Sequence, residues 1–112
     1  QVTRILDHMI LWYTVSVSGE PTIILEHDAV LHHRIKGGMP RNSIMALANG
    51  QEFRRHNDNW VCMNGVYAYA VDQFSAKALF DEVMTNGIIE PLELMFRIDK
   101  FSVIVNNIAK KA

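Results

Sequence analysis

Four of the five histidines, His27, His32, His33 and His56, fall within one thirty-residue window, and the lone cysteine, Cys62, follows six residues later. Imidazoles ligate metal ions through a neutral ring nitrogen and exchange protons near neutral pH, and an ionised thiol is a strong nucleophile. Basic side chains, Arg34, Lys36, Arg41, Arg54 and Arg55, share the window. Any metal-assisted or thiol chemistry in this chain belongs here. Two physical points limit it. In a regular strand, His32 and His33 project from opposite faces. Cys62 stands in the apolar run Trp60-Val61-Cys62-Met63, where a small buried hydrophobe with a protonated thiol is the simpler reading.

The elements that must position these residues follow from periodicity and turn chemistry. Val2, Ile5, Leu6 and Met9 recur at helical spacing and predict a short helix over 2–10. Trp12 to Val17 alternates, Ser18-Gly19-Glu20-Pro21 supplies a turn, and Thr22 to Glu26 is a second β-rich run, so the three together predict a hairpin. A third strand is expected over 28–35. Pro40-Arg41-Asn42-Ser43 looks like a helix start, with Ile44, Leu47 and Ala48 on one face and Asn49-Gly50 as the stop; a strand over 44–48 competes with it. Residues 51–57 and 60–71 flank a polar Asn57-Asp58-Asn59 turn and form a further expected hairpin. Asp72 can cap a helix whose stripe is Ala76, Leu79, Phe80 and Val83, ending at Asn86-Gly87. Leu92 to Ile98 is expected as a strand. Phe101, Ile104, Val105 and Ile108 fit a final helix, with a strand at Val103-Ile104-Val105 as the alternative.

Composition narrows the class. The 112 residues form a single domain over 1–112, of ordinary globular balance at 49% apolar and 21% charged. Eleven Lys and Arg against twelve Asp and Glu give a formal charge of −1, which lacks the concentrated positive surface that phosphate binding draws on. One cysteine excludes an internal disulfide and a cysteine-based zinc cluster. It points to a reducing compartment such as the cytoplasm, the host's if the protein is viral. No apolar run reaches the length of a membrane span. Gln1 at the start points to a processed product or an excised fragment. The expected fold class is α+β, a mainly antiparallel sheet packed against two or three short helices.

Two resemblances attach to these residues. Leu31-His32-His33-Arg34-Ile35, Asn42 and Arg54-Arg55-His56-Asn57 resemble the HNH (ββα-metal) nuclease pattern. That resemblance implies His33 as general base held by Asn42, His32 and His56 as ligands of a divalent metal, and Arg54 and Arg55 on phosphate. The second covers more of the chain. Trp12 to Val17, the turn and Thr22 to His27 resemble the H-box hairpin of the NlpC/P60 and lecithin-retinol-acyltransferase-like superfamily, which includes the non-proteolytic picornavirus 2A type. Ala46 to Phe53 is similar to its Gly-Gln-Glu segment, and Tyr67 to Phe80 to its Asn-Cys helix. Active members implied by that resemblance attack an ester or amide with a cysteine at a helix N-terminus. Asp72 and Gln73 stand at that place here, and glutamine cannot be the nucleophile.

The reading that follows is a small interaction domain on an H-box/NC-like scaffold, without catalysis and without a cofactor, binding a protein partner or other host macromolecule, with nucleic acid also possible. The HNH nuclease with its divalent metal is the first alternative. A thiol acyltransferase or hydrolase using Cys62 with His8 or His27 is the second.

Overall fold

Ile5, His8, Trp12 and Val15 recur at three- and four-residue intervals and are all buried, the signature of one helix with one inward face. The computed structural model describes residues 2–34, 38–48, 53–56, 60–63, 66–88, 92–98 and 100–111, with the backbone alone for 2, 53–56, 60–63 and 107. In it helix α1 runs unbroken over Val2–Ser18. The expected helix over 2–10 is therefore the first half of a longer one, and the expected strand at Trp12–Val17 is a correction. Tyr13 and Val17 are exposed while Val15 is buried. The outer face of α1 carries its own apolar residues, and these filled the gaps in the inner stripe until the pattern read as alternation.

Gly19, at φ +78°, ends α1, and a Cβ there would come 3.0 Å from Gln73 Oε1. Only glycine is free of both penalties. The chain then enters β1 (Thr22–Leu25) and β2 (Ala29–Leu31). β3 (Ile44–Ala48) is buried at all five positions, because it is flanked by strands on both edges and covered on both faces. An all-apolar strand matches a helical template by default, so the strand alternative holds and the helix expected after Pro40 is corrected. β4 (Phe53–His56) and β5 (Trp60–Met63) pair antiparallel in a separate two-stranded sheet, and the expected turn at 57–59 lies outside the described residues. β6 (Ala68–Val71) leads into helix α2 (Gln73–Asn86). Leu92–Met95 is a 3₁₀ turn rather than a strand, and β7 (Val103–Lys111) bears out the strand alternative at Val103-Ile104-Val105 over the final helix.

The main sheet has the order β1-β6-β3-β7-β2, antiparallel except for the parallel pair β3–β7. Its inner face carries Ile24, Ile44, Ala46, Tyr69 and Val71, which close a core with Ile5, Trp12 and Val15 of α1 and Ala76, Leu79 and Val83 of α2. Met45, Leu47, Ala68, Ala70, Ile108 and Ala109 form a smaller cluster on the other face. The expected α+β class, an antiparallel-dominated sheet under short helices, is the observed one.

Candidate functional site

Arg4, His8 and Trp12 are spaced four apart, so they line one ridge of α1 and look across to β1 and β6. Their polar atoms join a continuous chain of bonds. Trp12 Nε1 donates to the Tyr69 hydroxyl at 2.9 Å, and that hydroxyl lies 2.6 Å from His8 Nδ1. His8 Nε2 lies 3.1 Å from Glu26 Oε2. Arg4 closes the chain with two bonds to Glu26 and a further pair, at 3.1 and 3.3 Å, to Glu93.

Donor counting assigns the protons. An indole nitrogen only donates, so the Tyr69 oxygen accepts from Trp12 and its own hydrogen is free for His8 Nδ1. His8 is then neutral, with its hydrogen on Nε2 directed at Glu26. Every polar atom of this buried set has a partner in that tautomer. Burial favours the neutral imidazole and lowers its pKa, outweighing the opposing bond and charge of Glu26. Burial alone would raise the Glu26 carboxyl, but the bonds and charges of Arg4 and His8 together hold it below its ordinary value. Burial pushes the Tyr69 phenol far up.

This constellation has the residue types of a proton relay, yet its reacting atoms are consumed internally. Tyr69 is fully buried and His8 is 3% exposed, and the hydroxyl and both ring nitrogens are already bonded within the set. These bonds fasten α1 to the sheet. Sequence reasoning named His8 only as a thiol partner and overlooked Arg4, Glu26 and Tyr69. The signal available was the four-residue spacing of Arg4, His8 and Trp12, with Glu26 closing an apolar strand.

The window residues are distributed otherwise. β2 stops at Leu31, so His32 and His33 follow the strand rather than lying within it; the His32 N–H still donates to the Ile108 carbonyl at 2.8 Å. Freed from strand alternation, the two rings meet edge to face at 4.8 Å between centroids. Asn42, in the left-handed region at φ 57°, has its N–H held by the Asp72 carboxylate and its Oδ1 3.5 Å from Ser75 Oγ. Its described bonds thus run to the α2 cap and none to His33. Asp72 does cap α2, accepting from the Ser75 N–H at 2.9 Å. Arg54, Arg55 and His56 lie on β4 and Cys62 on β5, where Arg54 is the strand partner of Cys62; their side chains are outside the described residues. Among the described residues no group of three or more His, Cys, Asp or Glu is arranged to hold a metal, and no described helix is long and apolar enough to cross a membrane.

The outer face of α1 is the other notable surface. Leu6, Ile10, Tyr13 and Val17 are 46%, 65%, 56% and 68% exposed. At 3.6 residues per turn they form one stripe about 140° round the helix from the buried face. Tyr13 meets Phe80 of α2 at 5.7 Å between ring centroids, so the stripe borders the α1–α2 seam. Comparison with protein-family models, curated proteins and solved structures finds no match to this chain.

Proposed function

We propose that the chain is a small non-enzymatic interaction domain that receives an apolar helix of a partner protein along the outer face of α1. The observation that carries this reading is the exposed stripe Leu6, Ile10, Tyr13 and Val17. Its 4-3-4 spacing is that of a coiled-coil seam, the pattern by which one helix presents alternate side chains to another. Monomers seldom leave such a contiguous apolar strip in water. A membrane surface is the poorer occupant: interfacial helices flank their apolar face with Lys and Arg, whereas the single basic residue of α1, Arg4, is engaged by Glu26 and Glu93.

The Asn-Cys half of the H-box/NC resemblance contributes one supporting point; its hairpin half falls on Trp12–Val17, which lie in α1. α2 begins at Gln73 under an Asp72 cap, so no thiol stands where that superfamily has its nucleophile. A helix that begins with glutamine rather than a nucleophile suits a binding role.

The test places p-benzoylphenylalanine at position 10 and, as a control, at exposed position 110. In cells of the protein's own setting, irradiation should give one discrete adduct from position 10 and none from position 110, and Val17→Asp should abolish it. Equal adducts from both positions, or none, would overturn the reading. A self-adduct of twice the chain mass would replace the partner with a second copy. Plasmid incubated with Mg²⁺ or Mn²⁺ should stay intact; cleavage lost in His33→Ala would favour the nuclease instead.

A further inference from the structure

α1 has a second flank. Turned away from the Leu6–Val17 stripe, Arg4, Asp7, His8 and Leu11 face Ile24, Leu25, Glu26 and His27 across a cleft of about 520 Å³, within the size range of ligand clefts. The strand on its far wall, β1, is terminal in the sheet. The Glu26 N–H donates to the Tyr67 carbonyl at 2.9 Å. In an antiparallel ladder bonded pairs alternate with non-bonded ones, so Ile24–Tyr69 is the next bonded pair and Leu25–Ala68 and Ile23–Ala70 are the non-bonded ones. Ile23 and Leu25 therefore direct their N–H and C=O groups to the open edge, where no described strand lies. β1 is short, at four residues, but the run Thr22-Ile23-Ile24-Leu25 carries no proline, charge or bulge, the other devices that block such edges.

The electrostatics indicate what fills it. Arg4 is held between Glu26 and Glu93, and Asp7 has no ion-pair partner among the described residues. Of the lining residues, two carboxylates, Asp7 and Glu26, face one guanidinium, that of Arg4, which Glu93 also engages, so acidic groups outnumber it.

We infer that this cleft takes an extended, basic peptide segment of a partner protein, added to β1 as a sixth strand. Its backbone bonds Leu25 and Ile23, an apolar side chain packs on Leu11 and Leu25, and a Lys or Arg side chain reaches Asp7. Strand addition draws affinity from main-chain bonds and specificity from alternate side chains. This site is independent of the outer stripe, on the opposite flank of the same helix.

The test uses the full 112-residue chain and a displayed library of random linear dodecapeptides. Enriched sequences should share one basic residue and apolar residues at every second position. The best synthetic peptide should shift the amide resonances of Ile23 and Leu25. Leu25→Pro removes only an outward N–H, a change edge strands tolerate, and should weaken binding at least tenfold. Leu25→Ala should weaken it less, and Asp7→Asn should weaken it severalfold and reduce its salt sensitivity. Equal binding to wild type and Leu25→Pro, or shifts confined to the outer face of α1, would overturn the inference. So would a wild-type dimer with protected β1 amides that becomes monomeric in Leu25→Pro, since the edge would then belong to a second copy. Should Leu25→Pro fail to fold, the amide map of the wild type decides alone.

Discussion

The Tyr69 hydroxyl stands 2.6 Å from His8 Nδ1, and this bond is the central link between α1 and the sheet. It also fixes the tautomer, because the same oxygen already accepts from Trp12. Removing that one oxygen strands two buried partners, the Trp12 N–H and the His8 Nδ1 lone pair. Each orphaned buried group costs about 1–3 kcal/mol. Tyr69→Phe is expected to lose roughly 2–4 kcal/mol of unfolding free energy in urea while keeping the native far-ultraviolet spectrum. A loss under about 1 kcal/mol would mean the relay is not intact in solution.

The same relay sets a pH dependence in two steps. The fold holds His8 neutral, so its pKa lies below the ordinary 6.5 and the unfolded chain takes up the proton first. Its contribution is therefore complete above about pH 6.5 and declines as the pH falls below that value. Glu26 is held below its ordinary 4.5 and adds a second decline under that pH. Urea midpoints should be level from pH 8 to 7, fall toward pH 5, and fall again below 4.5. His8→Gln should start less stable and lose the upper step alone. A midpoint that rises between pH 7 and 5 would contradict the neutral His8.

How much of this was legible in the sequence depended on how many faces of each element are apolar. α2 has one buried stripe, a capping aspartate and a terminal glycine, so its pattern, its start and its end all agreed with the helix found. α1 and β3 are apolar on two sides for different reasons: α1 has a core face and an outer stripe, and β3 is sandwiched. Both lose the period that separates helix from strand. β7 pairs in parallel with β3 across a long chain separation, which no local pattern encodes. The relay was hidden because it joins residues up to 89 positions apart, Arg4 to Glu93. The histidine window, by contrast, is conspicuous in the sequence, and among the described residues it brings only His32 and His33 into ring contact.

Asp72 holds two segments with one carboxylate. One oxygen accepts from the Ser75 N–H at the head of α2, the other from the Asn42 N–H in the loop before β3. Loss of an N-cap alone costs about 0.5–2 kcal/mol, and the orphaned Asn42 donor adds to it. Asp72→Ala is expected to cost roughly 2–3 kcal/mol, against under about 1 kcal/mol for Asp72→Asn, which keeps one acceptor. Asn42 has a positive φ, so Asn42→Gly should be nearly neutral and Asn42→Val clearly destabilising. Equal cost for Asp72→Ala and Asp72→Asn in urea titrations would show that the carboxylate does not bridge the two segments.

The two apolar faces of α1 predict opposite responses to substitution. Trp12 is fully buried against Tyr69 and Phe96, so Trp12→Ala leaves a cavity and an unpartnered hydroxyl and should cost at least about 3–5 kcal/mol. Ile10, two positions away, is 65% exposed. Ile10→Lys removes little buried area and places a strong helix former on a solvated face, so stability should change by less than about 0.5 kcal/mol. The same variant should raise solubility, because it interrupts the apolar strip that otherwise meets water. Denaturation and solubility measured side by side separate the possibilities. If Ile10→Lys unfolds the chain, the outer stripe belongs to the core of a larger assembly that the isolated chain cannot complete. If it leaves both stability and solubility untouched, the stripe has no role in association, and the interaction reading loses the observation that carries it.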